Sequence, residues 1–205
     1  MTATSLVIFD LDGTLFDPYA SIEETIKLTF SSFLPSTPSP APAHNRWIAE
    51  YRRLYAQEHS QSLIRAFPGA DQVLEHLRQR KVPVAIISNN GVQAVRGALR
   101  NDGLDVYVLE DLIVGDETPG ATRKPDVGSL TDVLVPKMRD AGLADAVVDA
   151  SEVVVVGDTV ADIQFTRNVG ATACWARYGY GERVQCEELR PDFTIDKLID
   201  VMTII

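Results

Sequence analysis

Four short apolar runs recur along the chain: Leu6-Val7-Ile8-Phe9, Val82-Pro83-Val84-Ala85-Ile86-Ile87, Leu112-Ile113-Val114 and Val153-Val154-Val155-Val156. Runs of this length, rich in β-branched residues and bounded by turn signals, predict strands. The four consecutive valines leave no polar face. Such a strand is buried on both sides, as in a parallel sheet covered by helices. Helical patterns between the runs give one alternating β/α order, so the expected fold class is α/β, with a doubly wound parallel sheet of about five strands. Sheets of this kind bind ligands at the carboxyl ends of their strands. The residues that follow each run are therefore the ones to read for chemistry.

The first run leads into Asp10-Leu11-Asp12-Gly13-Thr14. Side chains two apart on an extended backbone point the same way, so Asp10 and Asp12 can project together. Two close carboxylates repel, which calls for a cation or a raised pKa in one of them. A solvated acidic turn is the plainer alternative. The second run ends in Ser88-Asn89-Asn90-Gly91, a hydroxyl and two amides able to donate to a phosphoryl oxygen. The same residues would also serve as a helix cap. Arg123-Lys124-Pro125-Asp126 lies beyond the third run. Pro125 biases Lys124 away from helix and suits the first turn of a helix through Leu130, Val133 and Leu134. A Lys held there is a fixed point charge for a phosphate or a carboxylate. The valine run ends in Gly157-Asp158-Thr159-Val160-Ala161-Asp162. Asp158 sits at the strand end, and Asp162 follows on the same face of the next helix. Oxygen ligands arranged in this way suit Mg²⁺, although acidic residues also simply favour a helix N-terminus.

In this order, Asp-x-Asp-Gly-Thr, a strand-end Ser-Asn, an isolated Lys-Pro and Gly-Asp-x-x-x-Asp resemble the four motifs of the haloacid dehalogenase-like superfamily. Within it, the chain is most similar to the phosphoglycolate-phosphatase-like hydrolases. Phe67-Pro68-Gly69 and Arg177-Tyr178-Gly179-Tyr180-Gly181, the latter after an expected last strand from Thr172 to Ala176, add to the likeness. The resemblance implies a Rossmann-like catalytic core of residues 1–16 and 67–205, with a small helical cap of residues 17–66 inserted after the first strand. It implies a Mg²⁺-dependent phosphatase acting on a small phosphorylated metabolite, with phosphoglycolate the first compound to consider. Asp10 would attack phosphorus and form an aspartyl-phosphate, and Asp12 would act as general acid and base. Asp10, Asp12 and Asp158 would hold the metal, with Asp162 a ligand through water or an orienting residue. Ser88, Asn89, Lys124 and Thr14 complete the expected phosphate-binding set. A sugar-phosphate mutase of the same superfamily would share these core residues, and a non-catalytic regulatory or binding protein could share the fold.

The expected cap begins at Asp17-Pro18, a helix start with Asp as cap and Pro at the first position. Ile22, Ile26, Phe30, Phe33 and Leu34 form an apolar stripe, and Glu23 with Lys27 adds an ion pair one turn apart. Pro35, Pro38, Pro40 and Pro42 break this helix. A second helical stretch carries Trp47, Ile48, Tyr51, Leu54 and Tyr55. His44, Arg46, Arg52, Arg53, His59 and Arg65 make the segment the basic part of an acidic protein. They read either as a solvated face or as the source of one Arg that meets an anionic substrate group.

The net charge of −10 excludes nucleic acid as the main partner, since no basic field offsets phosphate repulsion. No apolar run approaches the ~18 residues of a membrane span, and no membrane partner is expected. The 2 cysteines, Cys174 and Cys186, make no disulfide framework. The first strand begins by residue 5, which leaves no room for a cleaved signal peptide, so a cytoplasmic location is expected.

Overall fold

The structure, a computed structural model, describes residues 4–33, 44–55, 62–143 and 149–205. Strand β1 (Leu6–Phe9) lies at the centre of a six-stranded sheet with β4 (Val84–Ile87), β5 (Ile113–Val114), β6 (Val153–Gly157), β7 (Thr172–Ala176) and β8 (Phe193–Ile195). The order is β5-β4-β1-β6-β7-β8, and every pairing is parallel. The sheet has six strands where the sequence predicts about five, because β8 follows the segment expected to be last. Chain order reverses between β1 and β6, which makes that seam the topological switch point of a doubly wound sheet.

The unbroken apolar runs are explained by the sheet's two covered faces. Val7, Phe9, Val84, Ile86, Val154 and Val156 point to one face. There they meet Val73, Leu74 and Leu77 of α3 (Ala70–Gln79) and Val95, Ala98 and Leu99 of α4 (Val92–Asn101). Leu6, Ile8, Ala85, Ile87, Val153 and Val155 point to the other face. They pack on Leu130, Val133, Leu134 and Met138, which lead into and form α5 (Val135–Asp140), and on Phe165 of α6 (Val160–Val169). Each buried Val, Leu, Ile or Phe contributes roughly 1.5–3 kcal/mol, so the alternation drives helices onto both faces.

The helix after Lys124 begins later than the proline suggested. Lys124-Pro125 is a cis peptide within a turn, and Ser129–Leu134 winds as a π-helix before α5. A short α7 (Arg183–Glu188) precedes β8 and places the buried Cys186 against Ile163, Ala173 and Trp175. Both cysteines are free. No helix among the described residues is long and apolar enough to cross a membrane.

After β1 the chain turns through Leu11–Phe16 and enters β2 (Phe16–Asp17), which pairs antiparallel with β3 (Arg65–Ala66). Between them run α1 (Tyr19–Phe33) and α2 (His44–Tyr55). Asp17 caps α1 by accepting from the Tyr19 N–H at 2.8 Å, and Glu23 pairs with Lys27 at 2.7 Å, both as expected. The proposed apolar stripe is turned the other way. Ile26 and Phe30 are exposed, whereas Ser21, Thr25 and Thr29 are fully buried. Their burial is tolerable because the Thr25 and Thr29 hydroxyls donate at 2.7 Å to carbonyls one turn back. Along α2, Trp47, Tyr51 and Tyr55 form a stacked ladder with centroids 5.6 and 5.8 Å apart, and Phe30 meets Trp47 edge-on. Leu34, the four prolines after it and His59 lie outside the described residues.

Candidate functional site

The loop after β1 is wound around one carbonyl. The Leu15 and Phe16 N–H groups both donate to the Leu11 carbonyl at 2.9 Å, and Gly13 N–H donates to the Phe16 carbonyl at 2.8 Å. Leu11, Leu15 and Phe16 anchor the loop in the core. Asp10 is thereby held at the strand end, with its N–H on the Val156 carbonyl across the switch point at 2.9 Å. Gly13 has φ +83°, and a Cβ there would fall 2.4 Å from Asp158 Oδ2. Only glycine lets this loop lie against β6.

Asp158 follows β6 and is almost completely buried. Its carboxylate accepts from the Tyr180 N–H at 2.7 Å and from the Thr14 hydroxyl at 3.4 Å, and its carbonyl accepts from the Trp175 indole at 2.9 Å. Asp162 closes a capping box at the start of α6, accepting from Thr159 N–H and Oγ1 at 2.9 and 2.5 Å. One carboxylate oxygen from each of Asp10, Asp158 and Asp162 lies within 4.8 Å of the others. Lys124 Nζ bridges two of them, 2.5 Å from Asp10 Oδ1 and 2.6 Å from Asp162 Oδ1, and also donates to the Ile87 carbonyl at 2.8 Å. The sequence offers a phosphate or a carboxylate as the partner of Lys124; here its ammonium is seated among carboxylates.

Three buried carboxylates therefore face one ammonium. Burial raises Asp10 to about 8, with the Asp162 and Asp158 charges adding to it and Lys124 opposing. Burial likewise lifts Asp158 to about 6. Burial alone would lower the Lys124 pKa, but Asp10 and Asp162 override it and hold the ammonium charged. An all-oxygen cluster short of positive charge fits a hard divalent cation such as Mg²⁺.

Asp12 projects from the same loop toward Asn90, whose amide donates to Asp12 Oδ2 at 3.1 Å. Its other oxygen, Oδ1, is buried without a hydrogen-bond partner among the described residues. Burial raises the Asp12 pKa against the pull of Asn90. Ser88 lines the same cavity of about 300 Å³ as Asp10, Asp12, Asn90 and Lys124. Its hydroxyl accepts from the Asn90 N–H at 3.0 Å.

Of two further residues expected to bind phosphate, Asn89 lines this same cavity and Thr14 does not. Asn89 accepts from the Lys124 N–H at 2.9 Å and donates to the Lys124 carbonyl at 3.4 Å, so it holds the lysine loop in place. Thr14 is fully buried and turned to Asp158. The sequence offers the Asn90 amide as a phosphoryl donor, not as a partner of Asp12, and gives no role to Tyr178, whose hydroxyl donates to the Thr14 carbonyl at 2.7 Å. The only signal for either was its place inside a quoted motif. Of the basic residues between β2 and β3, Arg53 pairs with Glu50 at 2.7 Å, Arg46 stands over Phe33, and Arg65 donates to the Ile64 carbonyl. Arg52 lines a second cavity of about 570 Å³ with Tyr51, Tyr55, Asn90 and Arg123.

The chain belongs to the haloacid dehalogenase-like hydrolase family, whose model matches residues 4–170, and it is an enzyme of that hydrolase class. This bears out the motif resemblance. Pyrophosphatase PpaX of Listeria monocytogenes is 25% identical over 222 residues, covering 97% of this chain and 95% of that protein. A phosphoglycolate phosphatase of Pseudomonas savastanoi is 27% identical over 222 residues, covering 94% and 76%. Among solved structures, a haloacid dehalogenase-like family protein from Streptococcus pneumoniae superposes with TM-score 0.78 at 22% identity over 100% of this chain and 99% of that one. A Thermotoga maritima protein provisionally named β-phosphoglucomutase gives TM-score 0.72 at 16% identity, with 97% of each chain covered. These two likenesses concern the fold.

Proposed function

We propose that the protein is a Mg²⁺-dependent phosphatase that hydrolyses a small phosphate monoester through an aspartyl-phosphate. The observation that carries this reading is the pairing of Asp10 and Asp12 on one loop. Asp10 is drawn into the carboxylate cluster, while Asp12 stands apart with one buried oxygen free.

Asp10 and Asp158 would hold the ion, with the Asp12 carbonyl and Asp162 supporting it. When bound, Mg²⁺ would neutralise the cluster and polarise the phosphoryl oxygens. An Asp10 oxygen forms a bond to phosphorus as the bond to the leaving oxygen breaks. Asp12 gives that oxygen its proton, so the alcohol leaves neutral. Asp12 then takes a proton from water as the water oxygen bonds to phosphorus, the Asp10–phosphorus bond breaks and inorganic phosphate departs. Ser88 and Lys124 meet the phosphoryl oxygens. Most of the acceleration comes from holding these charges in place before substrate arrives.

The segment 17–66 acts as a cap over this edge of the sheet, which limits entry to small compounds. Phosphoglycolate leads the candidates, supported by the family and by the Pseudomonas relative. Inorganic pyrophosphate joins it because of the Listeria relatives. A reducing, cytoplasmic setting suits the two free buried cysteines. The test is phosphate release from a panel of phosphoglycolate, pyrophosphate, small sugar phosphates, nucleotides and a phosphopeptide, with Mg²⁺ or excess chelator. Turnover of a small compound only with Mg²⁺ supports the reading. A phosphopeptide as the best substrate, or full activity in chelator, overturns it.

A further inference from the structure

Among the described residues, Asn90 is the one that both lines the two cavities and touches Asp12. The residue is fixed by three hydrogen bonds, two to its backbone and one to its side chain. Its N–H is on Ser88 Oγ at 3.0 Å, its carbonyl accepts from the Asp116 N–H at 3.0 Å, and its own Oδ1 accepts from the Gly91 N–H at 2.8 Å. With Oδ1 turned to the Gly91 N–H, the two Nδ2 hydrogens are left for other partners. One of them goes to Asp12 Oδ2. From α2, Tyr55 lines the larger cavity beside the Asn90 side chain. Tyr55 is itself held by stacking on Tyr51.

We propose that Asn90 is a positioning residue for the Asp12 acid, and that Tyr55 ties this position to the helices between β2 and β3. Asn90 occupies one Asp12 oxygen and leaves the buried Oδ1 as the only one able to carry a proton to the leaving group. Tyr55 braces the amide that does this. The helical segment is thus joined to the acid by two side chains and needs no contact with the phosphoryl group. This inference rests on the acid role given to Asp12 above.

The experiment exploits leaving-group chemistry. An alkoxide needs a proton to depart, and a dinitrophenolate does not. kcat/KM reports the first chemical step, and is measured for the fastest alkyl phosphate of the panel and for 2,4-dinitrophenyl phosphate. Asp12→Ala, Asn90→Ala and Tyr55→Phe are compared with the parent. Asn90→Ala is expected to lose about tenfold or more on the alkyl phosphate, within the range of general-acid effects, and less than about threefold on the activated ester. Tyr55→Phe removes one oxygen and should show the same selectivity at smaller size; it carries the test if Asn90→Ala fails to fold. In the Asp12→Ala background neither change should have a further effect. Equal losses on both esters, or no loss in either variant, overturn the positioning role. If Asp12→Ala itself keeps full activity on the alkyl phosphate, the acid assignment fails first, and that outcome is distinct.

Discussion

Replacing Gly13 by alanine probes a close approach in the site. Gly13 and Gly120 share φ +83°, but their surroundings differ. A Cβ at Gly120 would meet only Val133 Cγ2 at 3.6 Å, an ordinary contact. At Gly13 it would lie 2.4 Å from Asp158 Oδ2 and 2.7 Å from Asp158 Cγ. Left-handed backbone costs a non-glycine residue roughly 1–2 kcal/mol, offset in part by the alanine's smaller unfolded-state entropy. Both terms apply equally at the two positions. Gly13→Ala must also push aside a buried carboxylate and break its bond from the Tyr180 N–H. A hydrogen bond to a charged group adds about 1.5–3 kcal/mol. Urea unfolding in metal-free buffer should therefore show Gly13→Ala to be less stable than Gly120→Ala by about that increment. With Mg²⁺, Gly13→Ala should lose about a hundredfold or more in kcat, while Gly120→Ala stays within about threefold, because only the former displaces Asp158, a proposed metal ligand. In the Asp158→Ala background the two glycine substitutions should cost the same. Equal destabilisation in the parent background, with activity intact in both, would refute the close approach and the role assigned to Asp158.

Asp10→Asn should abolish turnover without lowering the melting temperature of the metal-free protein, since it removes one of three crowded carboxylates; residual activity within about tenfold of the parent excludes Asp10 as nucleophile. Asp10 and Asp158 are raised from 3.8 to about 8 and about 6, so the folded metal-free protein holds protons that the unfolded chain releases. Its stability should fall as pH rises from about 4 toward 8, by up to about 1.4 kcal/mol per pH unit for each proton so held. Added Mg²⁺ should then raise the melting temperature more at pH 8 than at pH 5; an equal rise at both removes these carboxylates from the ion site. Phe165→Ala should cost about 3–5 kcal/mol in urea unfolding and Phe30→Ala about 1, because Phe165 is fully buried and Phe30 is 57% exposed; comparable costs would contradict the orientation of α1.

The strands and their chemistry are legible in the sequence because both are local. A run such as Val153–Val156 must bury both faces wherever it lies, and a carboxylate that follows it must emerge at the strand end. Asp10, Asp12, Asp158 and Asp162 could be named on this basis, and Lys124 only through the order of the motifs. The helical face of α1 could not. Hydrophobic spacing selected Ile26 and Phe30, but a Thr in a helix can satisfy its own hydroxyl and bury as if apolar. Tertiary packing then decided which stripe went inside. Strand β8 is three residues long, too short to carry a pattern.

What the tertiary structure alone decided is who meets whom. Lys124 reaches Asp10 across 114 residues of chain, and Thr14 reaches Asp158 across 144. Those meetings depend on β1 lying between β4 and β6, an order set by the packing of helices on both faces and written in no single segment. For the same reason Asn89 bonds to the lysine loop, Thr14 to Asp158, and Asn90 to Asp12. Residue type fixes which hydrogen bonds a side chain can make. The partner is chosen by the few ångströms that separate strand ends once the sheet has assembled.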